Sequence, residues 1–365
     1  MIILSAVNII GVVAFLRGGY GLPGLMVNNA IITIITAIGN VIIGFRLLPQ
    51  LRFGIGFCTR AMFKKLLNFG YKIQVVRIGG LVGTQTDKLF IAYFINLKLV
   101  AFYQLGSVIV EQAKGLCLLA VSAILPAISE LNALNDLVTM RSLYRKSMKY
   151  IACITVVLYV FLILNARRTI AAWMNQDLIY ASLSLQVLLI GFFINTLTGP
   201  FAAIVQGIAK PEYIMRTSLM QIVLNPCLTI PLIMKFGFMG ALVGTALSVS
   251  FTSMYFICSV NKVLRLSLKD IFGALTLPFI SCIPGIASNI FIDRLFPLTE
   301  ATLNRYYNSA VLFGNFFMFF GMAFGFLYLA RYFDNSDKRI FKYMTRAVFL
   351  MRKGKDELPK PAEAG

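Results

Sequence analysis

Two consecutive apolar segments of the sequence carry five charged side chains at regular spacings. Arg77, Asp87 and Lys88 lie in the first segment, and Glu111 and Lys114 lie in the second. Charges inside apolar segments of membrane length are costly to bury, which makes each one a candidate for function. Eleven residues separate Arg77 from Lys88, about three helical turns, so both fall on one helix face. Glu111 and Lys114 are three residues apart and also share a face.

The connection between the two segments is short, so these faces can meet, and the five charges then have two interpretations. In the first, the acids neutralise the bases as buried ion pairs with no direct role. In the second, three cations exceed two anions, and the surplus positive charge lines a hydrated path for an anionic substrate. Arg77, Lys88 and Lys114 are then candidate substrate-binding residues. Asp87 and Glu111 are candidate ion-coupling residues, since burial disfavours an ionised carboxyl and lets it carry a proton.

Residue content excludes several other chemistries. The sequence has no histidine, which excludes a His-based metal site and a Ser-His-Asp triad. Its six cysteines form no CxxC pair, and five lie inside apolar runs, as packing residues do. It has no Gly-rich phosphate loop of the ATPase type. The sequence therefore predicts no catalytic residue, no metal and no cofactor, and a protein that moves a molecule without covalent change.

The elements that carry the charges are predicted to be transmembrane helices. The chain is 59% hydrophobic and 13% charged, with a mean hydropathy of +0.81. A soluble domain is nearer half apolar and a quarter charged. Each span needs about 20 apolar residues. The predicted fold class is an all-α integral membrane protein with ten spans, at about 2–16, 24–45, 73–95, 99–126, 150–165, 179–208, 214–234, 239–261, 271–292 and 307–330.

Lysine and arginine are distributed unevenly between the two sets of loops. Of the 34, 24 fall on one side, seven on the other and three within spans. This bias predicts a multi-pass protein of a bacterial inner membrane with both termini in the cytoplasm. It also explains the formal charge of +20 without a nucleic-acid partner, although such loops can attract anionic membrane lipids. No basic segment precedes the first apolar run, so no cleavable signal peptide is predicted.

A weak internal repeat suggests how the spans are grouped. Gly21-Leu-Pro-Gly24 resembles Gly237-Phe-Met-Gly240 at an offset of 216 residues, and each motif lies in a short outer turn between two spans. Chance recurrence of Gly-x-x-Gly hairpins is the alternative. Parallel repeats related by an axis along the membrane normal are a transporter architecture with a central site between two lobes.

The repeat predicts five regions. Residues 1–45 would be the last two helices of a truncated N-terminal lobe that lacks its first four helices. Residues 46–72 would be a cytoplasmic amphipathic linker, because cations alternate there with large apolar side chains. Residues 73–262 would be a complete six-helix C-terminal lobe, residues 263–330 two additional helices, and residues 331–365 a basic cytoplasmic tail.

An ordered set of short motifs also resembles a known family. The sequence is similar to the polysaccharide exporters, the O-antigen and teichoic-acid flippases, of the superfamily that includes multidrug-extrusion transporters and lipid II flippases. The motifs run from Phe69 to about Lys262 and are Phe69-Gly70, Gly79-Gly80, Thr86-Asp87-Lys88-Leu89, Tyr103-Gln104-Leu105-Gly106, Leu125-Pro126-Ala127-Ile128-Ser129-Glu130-Leu131, Leu197-Thr198-Gly199-Pro200, Gln206-Gly207-Ile208-Ala209-Lys210-Pro211 and Gly240-Ala241-Leu242-Val243-Gly244-Thr245-Ala246.

The resemblance implies a secondary transporter that flips undecaprenyl-diphosphate-linked oligosaccharide from the cytoplasmic to the outer leaflet. Its partners would be this lipid-linked oligosaccharide and a polysaccharide polymerase or glycosyltransferases of the same pathway. The basic residues would bind the lipid-diphosphate headgroup. Two rivals remain: a cation-coupled exporter of small amphipathic compounds, whose cavity should be acidic rather than basic, and a truncated remnant that transports nothing.

Overall fold

The computed structural model describes residues 2–47, 59–122, 124–134, 136–264, 268–298 and 304–332. These residues form α-helices joined by short turns, and no strand occurs among them. The helices are α1 Ile2–Arg17, α2 Gly21–Leu47, α3 Arg60–Phe94, α4 Leu97–Ser122, α5 Ile124–Ala133, α6 Leu137–Leu164, α7 Ala166–Met174, α8 Ile179–Leu197, α9 Gly199–Gly207, α10 Glu212–Leu264, α11 Leu268–Leu295 and α12 Arg305–Leu329.

The all-α membrane fold predicted from composition is confirmed. All ten predicted spans fall on these helices, and six helices are long and apolar enough to cross a membrane, or seven if the bent pair α4–α5 is one span. The predicted spans at 214–234 and 239–261 are the two arms of α10, which is interrupted at Gly237 by non-helical backbone angles. The span at 179–208 is divided between α8 and α9, just before Pro200.

The chain divides into two units, Met1–Asn68 and Phe69–Gly365. In the first unit, α1 and α2 form a helical hairpin. Asn28 of α2 donates to the Asn8 side-chain oxygen of α1 over 2.7 Å, which satisfies two polar groups that apolar surroundings would otherwise leave unpaired. Of the predicted linker 46–72, residues 48–58 lie outside the described residues. Residues 60–72 run without a break into α3.

The two glycines that the repeat aligns share an unusual backbone conformation. Gly21 has φ 53° and Gly237 has φ 58°, in the left-handed region that favours glycine. At Gly237, where ψ is −133°, the non-helical backbone interrupts α10, and its two arms lie side by side, with the Gln221 amide of one arm donating to the Ser248 hydroxyl of the other. The resemblance between the two Gly-x-x-Gly motifs therefore extends from sequence to backbone geometry.

The second unit is built around α8, which packs against α4, α6 and α10. Glycines allow the closest of these approaches. A Cβ atom at Gly106 of α4 would lie 2.6 Å from the Ser184 Cβ of α8, and one at Gly191 of α8 would lie 2.5 Å from the Ala246 Cα of α10. Small residues at helix contacts give membrane bundles their van der Waals stabilisation, because lipid provides no hydrophobic drive.

Helices α11 and α12 pack on α6, and α12 also packs on α7. Phe161 of α6 contacts the rings of Phe316, Phe319 and Phe320 of α12 at centroid distances of 5.5–5.9 Å. The Asn315 side chain donates to the Asn165 side-chain oxygen over 2.9 Å, with both residues buried. The two additional helices are thus joined to the second unit by apolar packing and by a buried amide pair.

Two adjacent arginines of α7 have opposite environments. Arg168 is 4% exposed, and its guanidinium donates to the Asp293 carboxylate over 3.1 Å and to the Phe296 carbonyl. Arg167 is exposed and donates to Asp177. This hydrogen bonding holds the pKa of Asp177 below its usual range. The stabilisation from that pair is complete above the ordinary Asp pKa of about 3.9 and is lost as the pH falls below it.

We expect these two arginines to differ strongly in their effect on stability. Arg168→Met removes charge-assisted bonds from a buried site and should cost about 1.5–3 kcal/mol. Arg167→Met should cost below about 1 kcal/mol at pH 7, as exposed pairs do, and this cost should shrink as the pH falls below the ordinary Asp pKa of about 3.9. Thermal unfolding of the purified variants in detergent measures both effects. Equal unfolding temperatures for the two variants at pH 7 would contradict the assigned burial.

Candidate functional site

A cavity of about 270 Å³ lies inside the second unit, and Lys114 is the charged residue of its lining. Helices α3, α4, α8, α9 and α10 form its wall. The lining residues are Val76, Gly79, Gly80, Gly83, Lys114, Phe192, Asn195, Thr198, Ala202, Ile214, Thr217, Ser218, Gln221, Val249, Thr252 and Phe256. The wall is thus mixed, with apolar and aromatic groups beside several hydroxyls, two amides and one ammonium.

Lys114 is partly buried and is held by neutral groups. Its Nζ donates to the Asn195 side-chain oxygen and lies 5.5 Å from the centroid of the Phe192 ring. Within the described part of the chain, no carboxylate forms an ion pair with it. Because an ammonium has three donors, Lys114 retains hydrogen-bonding capacity toward an anion in the cavity.

The two amides of the cavity are fixed by further hydrogen bonds. The Asn195 Nδ2 donates to the Ser253 hydroxyl over 3.0 Å, which fixes the oxygen of the amide toward Lys114. The Gln221 Nε2 donates to the Ser248 hydroxyl over 3.1 Å, and its oxygen accepts from Thr252. The α8 and α10 side chains that surround the cavity therefore form a preorganised polar wall.

Glycines bring α3 close to this wall. A Cβ atom at Gly79 would lie 2.6 Å from the Ser218 Cβ of α10, and one at Gly83 would lie 3.5 Å from the Gln221 side chain. Gly83 and Asp87 are four residues apart and share one stripe of α3. The same close packing that shapes the cavity therefore also carries the Asp87 carboxylate into the interior of the unit.

Asp87 is fully buried without a cationic partner. One carboxylate oxygen accepts from the Tyr103 hydroxyl of α4 over 2.9 Å, and the other has no hydrogen-bond partner among the described residues. The polar side chains of Thr245 and Asn225 lie near the same carboxylate. The ion pairs of the first interpretation thus do not involve Asp87 in this structure. Its charge is surrounded instead by neutral donors from α4 and α10.

The other three charged candidates lie away from the cavity lining. Arg77 is exposed, and Lys88 donates to the side-chain oxygen of Gln85 over 2.8 Å. Both lie on one stripe of α3, as their spacing predicts. That stripe is rotated by about 100° from the stripe of Val76 and Gly83 that faces the cavity. Glu111 is exposed and lines a second, smaller cavity.

Comparison with known proteins shows what this chain is similar to. Residues 1–132 match a protein family described as polysaccharide biosynthesis protein. A solved structure of the lipid II flippase MurJ, in its inward closed conformation, has the same fold, with a TM-score of 0.64 and 16% sequence identity. The match covers 90% of this chain and 67% of the flippase. No curated protein sequence matches this chain.

The family match includes the motifs from Phe69-Gly70 to the one that ends at Leu131, and the later motifs lie beyond it. Sequence reasoning singled out the charged residues but missed the neutral ones that contact Asp87 and Lys114. Tyr103, Asn195, Gln221 and Thr252 received no role, although each lies within a predicted span. Amides and hydroxyls inside membrane helices usually find partners on neighbouring helices, which is the signal that could have identified them.

The cavity is expected to be open to water, and cysteine reactivity measures this. In a cysteine-free background, Ser218→Cys lines the cavity and should react readily with a small water-soluble methanethiosulfonate. Ser184→Cys is the control, because Ser184 is fully buried against Gly106 and lies outside the lining. Its modification should be at least about tenfold slower, since closed packing excludes the reagent. Similar rates at both positions would show that the cavity is not selectively hydrated.

Proposed function

We propose that this chain is a secondary transporter that flips undecaprenyl-diphosphate-linked oligosaccharide from the cytoplasmic to the outer leaflet of a bacterial inner membrane. The flipped lipid-linked oligosaccharide would supply the synthesis of surface polysaccharide. The observation that carries the proposal is Lys114, a cation in a polar cavity of a fold shared with a lipid flippase, to which no carboxylate of the described residues is bound. An anionic headgroup supplies the acceptor that this ammonium lacks.

The three cations have complementary positions in this proposal. Lys114 binds a phosphate oxygen from inside the second unit, beside hydroxyls and amides that suit a sugar or phosphate. Arg77 and Lys88 present charge along another face of α3, where the exposed Arg77 guanidinium is free to form bidentate contacts with phosphate. A route with three cations and few acids favours a diphosphate over the cationic compounds expected of a drug exporter.

Asp87 and Glu111 are the proposed ion-coupling residues. A buried carboxylate held only by neutral groups gains stability when it takes a proton, because protonation removes a charge from a medium of low polarity. Asp87 lies between α3, α4 and α10, so its charge state affects the packing of all three helices. Proton binding there can bias one conformation of the lobe over another.

The proposed lobe comprises the helices from α3 to α10. Counting the two arms of α10 separately and α8–α9 as one span, the segments between residues 73 and 262 cross the membrane six times. In this arrangement α11 and α12 are two helices added after the lobe. The α1–α2 hairpin corresponds to the last hairpin of the lobe, which is formed by the two arms of α10. Both termini are proposed to lie in the cytoplasm, because the loops on that side hold most of the lysine and arginine.

Transport by purified protein tests the substrate assignment. The full chain is reconstituted in liposomes with a fluorescent undecaprenyl-diphosphate sugar, and flipping is followed by quenching of the outer leaflet. Lys114→Ala should weaken substrate binding about ten- to a hundredfold, the equivalent of about 1.5–3 kcal/mol for a charge-assisted hydrogen bond. Arg77→Ala and Lys88→Ala should also slow flipping, and Arg77→Lys and Lys88→Arg should restore part of it.

The control replaces a cation that lies outside the charged segments. Lys235 stacks on its neighbour Phe236 at the turn of α10, so Lys235→Ala should flip at the normal rate. Normal flipping by all three alanine variants at Arg77, Lys88 and Lys114 would rule out the cationic route. Transport of cationic dyes, with no movement of the lipid-linked sugar, would favour the small-molecule exporter instead.

Membrane orientation gives an independent test. Single cysteines are placed beside Arg168 and Arg305 in a cysteine-free background. They should react with an impermeant maleimide in cells whose outer membrane has been removed and whose inner membrane is intact. A cysteine beside Lys146 should react only after the membrane is opened, because the positive-inside rule places that loop in the cytoplasm. The reverse pattern would invert both the topology and the direction of transport.

A further inference from the structure

Three polar side chains form one line along α4. Tyr103, Ser107 and Glu111 follow one another at intervals of four residues, so they lie on nearly the same side of the helix at steps of about 6 Å. All three line the second cavity, whose remaining wall consists of Gly83, Val110, Leu188 and Phe192. We call Tyr103, Ser107 and Glu111 the α4 polar line.

The two ends of the α4 polar line have opposite environments. At one end the Tyr103 side chain is 2% exposed, and its hydroxyl donates to the fully buried Asp87 carboxylate over 2.9 Å. At the other end Glu111 is exposed. The line therefore joins a carboxylate that is shielded from solvent to one that is accessible.

The second cavity has the size and polarity of a water site. Its volume is about 10 Å³, close to what one water molecule requires. The lining offers three polar side chains, Tyr103, Ser107 and Glu111, which is within the two to four polar partners that a buried water needs.

We propose that the α4 polar line is a proton route between Glu111 and Asp87. The inference rests on the proposed function, in which both acids take part in ion coupling. The protonated Glu111 gives its proton to the water, and the water gives one of its own to the Tyr103 oxygen. The Tyr103 hydroxyl proton passes to Asp87. Each O–H bond that breaks is matched by one that forms, and the net change is one proton moved from Glu111 to Asp87.

The groups around the α4 polar line favour movement of the proton, because they help each carboxyl group to release it. Lys114 on α4 lies close enough to interact electrostatically with Glu111, and Lys88 on α3 does so with Asp87. Nearby cations stabilise each carboxylate after it has released its proton. Helix α8 contributes Leu188 and Phe192 to the second cavity, and helix α10 places Thr245 and Asn225 near the Asp87 carboxylate. None of these four side chains is titratable.

Time-resolved infrared spectroscopy of the full chain in lipid nanodiscs tests the route without any transport substrate. A jump from about pH 8 to about pH 5 brackets the range in which a buried carboxyl titrates, and Asp87→Asn identifies its protonated C=O band. Tyr103→Phe and Glu111→Gln should each slow the appearance of this band at least tenfold. Glu111→Gln should leave its final amplitude unchanged, because residue 111 does not touch Asp87.

Two matched variants serve as controls. Tyr159→Phe removes another buried tyrosine hydroxyl, one bonded to Thr196 away from the line, and Glu130→Gln removes another exposed glutamate. Both should keep the rate of the unmodified chain. Unchanged rates in Tyr103→Phe and Glu111→Gln would overturn the route, as would the absence of an Asp87 band at any pH. Normal infrared kinetics with no flipping would instead reject the substrate assignment and leave the route standing.

Discussion

The arrangement of the second unit depends on keeping a buried acid and a buried base apart. Asp87 and Lys114 lie on neighbouring helices inside one bundle, yet the acid accepts from Tyr103 and the base donates to Asn195. A direct ion pair would cancel the two charges and leave neither able to respond to a ligand. Neutral donors and acceptors stabilise each charge partially, so a proton at one site and an anion at the other can still change the energy of the unit.

Close helix packing makes this separation possible. Gly79 and Gly83 let α3 approach α10, while Gly106 and Gly191 do the same for α8 and its neighbours. A Cβ atom at Gly79, Gly106 or Gly191 would lie 2.5–2.6 Å from the facing helix, so a larger side chain there would displace a helix and disturb the contacts of Asp87 and Lys114. The small residues thus determine electrostatics as well as packing, because the neutral groups act only at contact distance.

The sequence predicted the elements better than the contacts. Long apolar runs and loop charges were sufficient to place the helices, since the membrane requires both. The common stripe of Arg77 and Lys88 also followed from spacing. Whether either residue faced the cavity did not, because the rotation of α3 is determined by where Gly79 and Gly83 meet α10. The amphipathic helix α7 was not predicted, since its nine residues are too short for a reliable period.

Polar contacts outside the charged segments also join α6, α7, α11 and α12. Arg168 connects α7 to Asp293 and the Phe296 carbonyl at the end of α11, and Asn165 connects the end of α6 to α12. Arg305 of α12 donates to the Trp173 carbonyl of α7 over 2.9 Å. Rotation of α6 would break several of these bonds together, so α6, α7, α11 and α12 resist independent movement. Helix α3, in contrast, contacts α10 through glycines and is joined to α4 by the hydrogen bond from Tyr103 to Asp87, so a change in the charge of Asp87 acts on the contact that holds α3 to its neighbour.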